Sequence, residues 1–191
     1  MNERGRTLLE MLAAIAIILI TASVAIPHLK AYSVEAHLLA AGRTFKGEFM
    51  KARSIAVRSS AQTAIRFEDG RQGPSYSVYM DGNHNGVLSH DIAVGTDRRI
   101  AGPLPLNGGA SDVRVGINAG VPAIPPDSGV LDPADPIRFG ASNMVSFSPL
   151  GTATPGTFYL AGEGLQGAVR VTGGSARVRL MVCRGRKWVE R

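Results

Sequence analysis

The sequence has little of what disulfide, zinc and catalytic sites are built from. Cys183 is the one cysteine among 191 residues, which excludes an internal disulfide and a cysteine-built zinc site. No Gly-x-Ser-x-Gly elbow, phosphate-binding loop or His-Glu-x-x-His motif occurs, and the four histidines are scattered. We therefore expect the protein not to be an enzyme and to have no small-molecule substrate.

Aromatic residues are also few, at 6%, and charge is unevenly distributed. Residues 30–66 and residues 158–191 each carry seven basic and two acidic side chains, whereas residues 67–157 carry five basic and nine acidic ones. Basic segments beside a membrane anchor commonly meet anionic head groups or acidic partners. Nucleic acid is the competing partner. Trp188 is the one aromatic residue interleaved with these basic side chains. We therefore favour the interpretation that the arginines are solvated over the interpretation that they bind nucleic acid.

One long hydrophobic run is present, near the N-terminus. Residues 8–26 contain a single charged side chain, Glu10, and Pro27 follows them. This length is about that of a bilayer-spanning helix. A secretory signal peptide fits poorly, because the charged region ahead of the run is very short and Glu10 lies inside it. A carboxylate inside a membrane span is costly and therefore indicates a function.

The residues around Glu10 carry a more specific pattern. Glu10 is the fifth residue after Gly5, and Pro27 is the twenty-second residue after Gly5. This pattern resembles the prepilin processing site of type IV pilins and type II secretion pseudopilins. The resemblance implies cleavage between Gly5 and Arg6 by a prepilin peptidase, methylation of the new amine, and filament assembly through Glu10 and Pro27. The sequence departs from the family at Arg6, where the family has Phe.

These residue types suit those roles. Glycine leaves the backbone open to a closely approaching peptidase. A buried carboxylate such as Glu10 needs a counter-charge, which in the family is attributed to the N-terminal amine of a neighbouring subunit. A proline inside a helix removes one hydrogen bond, so we expect a kink or local melting at Pro27.

Helical periodicity continues beyond the hydrophobic run. Apolar residues recur on one stripe up to about residue 58, namely Leu38, Phe45, Phe49, Ala52 and Ile55. The pattern predicts one helix about 75 Å long, apolar all round in its first half and amphipathic in its second. Gly42 and Gly47 each weaken the second half by roughly 1 kcal/mol.

The remainder of the chain has the pattern of β structure. Short alternating stretches bounded by turn residues predict strands at residues 63–67, 76–80, 144–147, 157–160, 168–172 and 176–182. With the helix, they predict an α+β, pilin-like fold: a long N-terminal helix, transmembrane in its first half, packed against an antiparallel β-sheet or sandwich domain. Residues 100–137 hold seven prolines and exceed an ordinary loop, so we expect an exposed insertion with one or two short strands.

Two further stretches extend the family resemblance into this domain. Residues 53–58 resemble the helix-to-strand turn of GspH/FimT-type minor pseudopilins, and residues 145–151 resemble their F-x-P-x-G strand and turn. The resemblance implies a single-pass protein of the bacterial inner membrane with its C-terminal domain in the periplasm. The implied segments are a leader at 1–5, a membrane or filament-core helix at 6–28, its amphipathic continuation at 29–59, and a β domain at 60–191.

Residues 81–86 (DGNHNG) are a candidate calcium loop. Oxygen-bearing side chains alternate before a glycine and one acid follows them: Asp81, Asn83, Asn85 and Asp91. The twelfth loop position holds Ile92 where a calcium loop has a bidentate acid. The same sequence makes an ordinary tight turn between strands. We favour the turn and keep calcium, the one candidate cofactor, as the alternative.

Residues 183–188 (CRGRKW) are a candidate nucleic-acid site. They partly match the Gly-Arg-x-Arg motif that contacts DNA in FimT-type uptake pilins, with Trp188 in the place of the second arginine. Basic groups would hold phosphates and the indole would stack on a base, the residues being Arg184, Arg186, Lys187 and Trp188. The alternative, which we favour, is a final strand whose arginines flank the sheet and whose Trp188 caps the core.

Taken together, the sequence predicts a minor pseudopilin of a type II secretion pseudopilus. It would assemble with other pilins or pseudopilins through its helix and display its β domain for partner contact. One alternative is a FimT-like minor type IV pilin that binds DNA during natural transformation. Another is a membrane-anchored, calcium-dependent structural protein outside any filament, which would keep its N-terminus unprocessed.

Overall fold

A 57-residue helix is followed by a domain of antiparallel strands. The computed structural model describes residues 3–70, 73–106 and 112–191, and the side chains of residues 3–9, 27 and 70 lie outside that description. The helices are α1 (Glu3–Ser59) and α2 (Ser89–Val94). The strands are β1 (Thr63–Gly70), β2 (Gly73–Met80), β3 (Arg98–Pro105), β4 (Val113–Val115), β5 (Ile137–Arg138), β6 (Met144–Phe147), β7 (Gly156–Gly162), β8 (Leu165–Thr172), β9 (Arg177–Arg184) and β10 (Lys187–Glu190).

The strands form two antiparallel sheets. The first sheet has the order β3-β2-β1-β6, and the second has the order β10-β9-β8-β7-β4, with β5 also paired to β7. The predicted α+β fold, with a long N-terminal helix and an antiparallel β domain, is confirmed. Each of the six predicted strand stretches lies in or overlaps a strand.

The second half of α1 supplies the centre of the main hydrophobic core. Phe45 packs against Phe158 of the second sheet in a tilted arrangement, with 4.4 Å between ring centroids, and also contacts Tyr76 of the first sheet, at 6.1 Å. Phe49, fully buried, meets aromatic rings of both sheets as well. The helix and the two sheets therefore share one core. Of the predicted stripe, Leu38, Phe45, Phe49 and Ala52 are buried in this core, whereas Ile55 is only half-buried and Ala56 is buried in its stead.

The outer face of each sheet is covered by a long connection. On the second sheet, Ile117, Ile124 and Leu131 pack with Tyr159 and Met181 in a separate buried cluster. Residues 100–137 contain the predicted short strands, β4 and the start of β5, and many of the described residues are exposed as expected. The segment is not exposed throughout: its first residues belong to β3, and the buried Ile117, Ile124 and Leu131 cover apolar surface that the sheet would otherwise present to water. Proline richness indicated irregular backbone, and irregular backbone packs when it carries apolar side chains.

One local expectation for α1 differs from the structure. Residues 53–58 form its last helical turns, and the chain leaves the helix only at Ser60, which has a positive φ of 51°. The helix passes through Pro27 without a break, and a kink at Pro27 stays a prediction. A single proline costs a long helix one hydrogen bond and does not have to end it.

Candidate functional site

The N-terminal half of α1 is not covered by the domain. From Glu10 to Tyr32 its described side chains are exposed, apart from half-buried Ala22, with aliphatic residues such as Ile26 at 67% exposure. An 18-residue window of this half has a mean hydropathy of 2.3 and is 0% buried. Among the described residues, α1 is the one helix long and apolar enough to cross a membrane.

The polar side chains on this half are few, and most of them hydrogen-bond to backbone carbonyls of α1 itself. The Thr21 hydroxyl donates to the carbonyl of Ile17 at 2.9 Å, and the Ser23 hydroxyl donates to that of Ile20 at 2.7 Å. Hydroxyls bonded to the preceding turn present little polarity to the surroundings. Glu10 is exposed on the same surface and makes no ion pair within the described part of the chain. Gly5 and Arg6 lie within α1, but what surrounds them falls outside the described residues.

Ion pairs join the middle of α1 to the domain. Lys30 pairs with Glu163 at 2.8 Å, and His37 lies 2.9 Å from the Asp112 carboxylate. The hydrogen bond from His37 lowers the pKa of Asp112, and the bond to Glu163 raises the pKa of Lys30. These exposed pairs add little stability, but they fix which edge of the domain faces the exposed half of the helix.

The C-terminal hairpin places the candidate nucleic-acid residues in different environments. Gly185 and Arg186 both have positive φ and make the tight turn between β9 and β10. Arg184 is ion-paired with Glu35 of α1. The Trp188 indole N–H donates to the carbonyl of Pro122 at 2.9 Å, and its ring packs on Tyr159. Arg186 and Lys187 are exposed. Contact with nucleic acid stays a prediction, resting on these two exposed side chains.

The candidate calcium loop is organised around a buried carboxylate. Asp81, 6% exposed, accepts the backbone N–H groups of Asn83, His84 and Gly86 at 3.1, 2.7 and 2.8 Å. Three N–H donors satisfy most of what a buried carboxylate requires. The loop therefore closes through its own hydrogen bonds.

Two further acids complete this loop. Asp91 accepts the side-chain amides of Asn83 and Asn85, at 3.3 and 2.9 Å. Asp97 accepts the backbone N–H groups of Gly82 and Leu88, at 3.1 and 2.9 Å. No group of three His, Cys, Asp or Glu side chains placed to hold a metal occurs among the described residues. Calcium binding by the two asparagines and the two predicted aspartates stays a prediction.

The comparisons with known proteins match this domain. The family model for Type II transport protein GspH matches residues 41–182, which is 142 of the 191 residues. The chain belongs to the GspH family. It is a pilin-like minor pseudopilin of the GspH/FimT type. No curated protein and no solved structure matches it.

The match begins inside the packed half of α1 and ends in β9. In this GspH-family chain it therefore covers the helix stripe with Phe45 and Phe49, the polar loop, the first sheet and the second sheet except for β10 and the end of β9. The exposed half of α1, with Glu10 and the processing pattern around Gly5, lies outside it. The C-terminal hairpin turn also lies outside it.

Several site residues were not predicted from the sequence. Asp97 lies sixteen positions beyond Asp81 and accepts a hydrogen bond that closes the polar loop. Glu35 of α1 forms an ion pair with Arg184, which lies near the other end of the chain. Both contacts join residues distant in the sequence, so no local spacing signals them. Gln62 was also missed, although its side chain caps the loop by accepting the N–H of Val87 at 2.6 Å.

Proposed function

We propose that this protein is a minor pseudopilin subunit of a type II secretion pseudopilus. It assembles with other pseudopilins through the exposed half of α1 and displays its β domain for partner contact. One observation carries the proposal. A single continuous helix is apolar and bare from Met11 to Ile26, and from Val34 onward the same helix is the core of a β domain.

The bare half requires another apolar environment. Residues 6–28 extend about 34 Å at the helical rise, which is long enough to span the hydrocarbon core of a bilayer. Leaving so much aliphatic surface in water is unfavourable by about 25 cal/mol per Å². Lipid provides an apolar environment before assembly, and the helices of neighbouring subunits provide one afterwards. This gives an inner-membrane anchor with the domain in the periplasm.

The exposed carboxylate of Glu10 is where this helix forms an ion pair with a neighbouring subunit when it leaves the membrane for the filament. Once it leaves water it needs a positive charge. Cleavage between Gly5 and Arg6 by a prepilin peptidase creates an amine at the N-terminus, and the amine of a neighbouring subunit is the proposed counter-charge. Methylation of that amine at Arg6 keeps its charge.

Intact mass tests the processing step. The full chain is extracted in detergent after expression with and without a prepilin peptidase that cleaves a reference prepilin. We expect the mass of residues 1–5 to be lost, with one further methyl added. The Gly5→Leu variant should keep its leader, whereas Gly47→Leu, which alters an exposed helix glycine, should still be cleaved. An uncleaved wild-type chain beside a cleaved reference would refute processing.

Secretion tests the assembly step. Deletion should abolish secretion by the type II system while DNA uptake continues, and the wild-type chain should restore secretion. Glu10→Leu should restore it poorly, although it keeps the helix apolar. Unchanged secretion after deletion would contradict the proposal.

The second candidate function is DNA binding during natural transformation. The exposed Arg186 and Lys187 at a tight hairpin tip favour it. Full-length protein in detergent would then bind duplex DNA in a salt-dependent manner. Arg186→Ala should weaken that binding, whereas Arg177→Ala, an exposed arginine elsewhere on β9, should not. Equal effects of both variants would indicate non-specific attraction.

A further inference from the structure

A groove lies between the outer face of the second sheet and the insertion. Its volume is about 560 Å³, and two arginines and one aspartate line it together with two hydroxyl-bearing side chains: Arg138, Arg170, Asp127, Thr157 and Tyr159. We propose that this groove binds a carboxylate group presented by a protein partner. The proposal does not depend on filament assembly, because the groove belongs to the folded domain alone.

The strand register builds the groove. Arg138 of β5 and Arg170 of β8 are the two cross-strand neighbours of Thr157 on β7. Directly paired residues project from the same face of a sheet, so the two arginines stand on either side of one threonine hydroxyl. Two guanidinium groups flanking a hydroxyl offer planar, charged donors converging on a small oxyanion.

Both guanidinium groups are fixed by ion pairs, yet each keeps N–H donors that are not engaged in them. Nη2 of Arg170 lies 3.2 Å from the Asp127 carboxylate, and its Nη1 donates to the carbonyl of Ile124 at 3.1 Å, which leaves the side chain 18% exposed. Nε of Arg138 lies 3.2 Å from Asp135. A guanidinium carries five N–H donors, so each arginine keeps free donors for a ligand.

A third arginine leaves this row with more positive than negative charge, since Arg138 and Arg170 are each paired with one aspartate. Arg179 is the cross-strand partner of Arg170, so two like charges stand directly opposite each other on one face. Its Nε is buried and finds no acceptor within the described part of the chain. Burial raises the pKa of Tyr159, while Thr157, Arg138 and Arg170 act against that rise, which places the phenol among the same groups. An incoming carboxylate would relieve the repulsion.

The position of the groove disfavours lipid head groups. Thr157 lies about 17 Å along β7 from Gly162 at 3.4 Å per residue. Gly162 packs beside Val34, itself about 12 Å along α1 from the end of the hydrophobic run. Charges at a membrane surface are screened within about 8 Å at physiological salt. Phe158, next to Thr157, packs on Phe45 further along α1, so β7 leads away from the hydrophobic run and the groove lies beyond that screening distance.

The acidic edge disfavours a polyanion. Asp127 and Asp135 are 63% and 53% exposed and stand beside the two arginines. They repel a long anionic surface such as DNA, yet they leave room for one isolated carboxylate. An acidic side chain or a chain terminus on a protein presents such a group.

Titration of the full chain in detergent, labelled with ¹⁵N at arginine, tests the site. The probe is the peptide acetyl-Gly-Glu-Gly-amide, and its control is the same peptide with glutamine. We expect saturable shifts of the Arg138 and Arg170 resonances with a millimolar dissociation constant, and at least tenfold weaker binding of the glutamine peptide. Shifts that do not saturate, or equal binding of both peptides, would overturn the proposal.

Substitutions test whether peptide binding depends on the groove residues or on the positive charge of the domain in general. Arg138 pairs with the exposed Asp135, so its loss should disturb the fold little. The variant Arg138→Gln should weaken binding of the glutamate peptide at least tenfold. Arg177→Gln, on β9 and paired with Glu190, should leave it unchanged. Asp127→Asn removes a competing carboxylate and should tighten binding several-fold, an effect that unfolding cannot produce. Equal loss in Arg177→Gln, or tighter binding of inorganic phosphate than of the glutamate peptide, would refute the carboxylate assignment.

Discussion

The side-chain carbonyl of Gln166 accepts the backbone N–H of Asn118 at 2.8 Å, and this bond joins the long insertion to the second sheet. Gln166 is 2% exposed, and its amide also donates to the carbonyls of Gly116 and Leu160, at 3.0 and 2.9 Å. The Asn118 amide in turn donates to the carbonyl of Leu165 at 2.9 Å. A buried polar side chain satisfied on both ends fixes the path of the insertion.

Gln166→Leu should therefore destabilise the domain. The change keeps similar volume but leaves the backbone groups of Gly116 and Asn118 buried without their partner, at about 2–4 kcal/mol in total. Chemical unfolding of the full chain in detergent measures the loss, and hydrogen exchange should show the insertion opening first. Thr172→Val, at the exposed end of the same strand, is the control and should change stability by less than about 0.5 kcal/mol.

The two glycines of the packed half of α1 should respond oppositely to alanine. Gly47 is exposed with open space beside it, so Gly47→Ala should stabilise the protein by about 0.5–1 kcal/mol through helix propensity. A methyl group at Gly42 would overlap Cδ1 of buried Leu180. Gly42→Ala should therefore be less stable than Gly47→Ala by about 1–3 kcal/mol. Equal unfolding free energies of the two variants would contradict this packing.

Stability should fall at alkaline pH because of Tyr159. Burial raises the pKa of this 3%-exposed phenol above its ordinary value of about 10. The folded state then holds its proton more tightly than the unfolded chain does. The contribution is complete below about pH 10 and is lost as the pH rises through the folded pKa. Tyrosinate absorbance measures the late ionisation, and Tyr159→Phe should remove that component and flatten the alkaline loss of stability.

Asp81→Ala should unfold the polar loop. It leaves three backbone N–H groups without an acceptor, so we expect a loss of about 2–4 kcal/mol with EDTA present. If Asp81, Asn83, Asn85 and Asp91 also bind calcium, adding Ca²⁺ to the EDTA-treated wild type should raise its unfolding temperature, and Asp91→Asn should abolish that rise. A temperature that Ca²⁺ does not move would exclude the metal and leave the turn.

The sequence predicted the parts of the fold that have a local signature. The 3.6-residue stripe through Phe45 and Phe49 predicted the packed helix, and alternation bounded by glycine predicted strands such as β6 and β8. The strands β4 and β5 have three and two residues, too few for alternation to be recognised. The buried contacts of the insertion were not predicted, because its prolines indicate backbone shape and do not tell whether Ile124 meets water or a sheet.

The candidate sites divide in the same way. The loop around Asp81 was recognised because its polar side chains are close together in the sequence. The groove of Arg138 and Arg170 was not recognised, because only strand pairing brings residues 32 positions apart to either side of Thr157. The pairing of Arg184 with Glu35 depends on the docking of the last hairpin against the helix, which no motif records.

The shared helix has a mechanical consequence. Phe45 and Phe49 belong to the same helix as the apolar half, with no linker between them. Tension applied at the N-terminus therefore passes through the helix axis directly to the aromatic rings of both sheets. The domain cannot swing loose under such a pull, and its lifetime under force is set by the unfolding rate of its core.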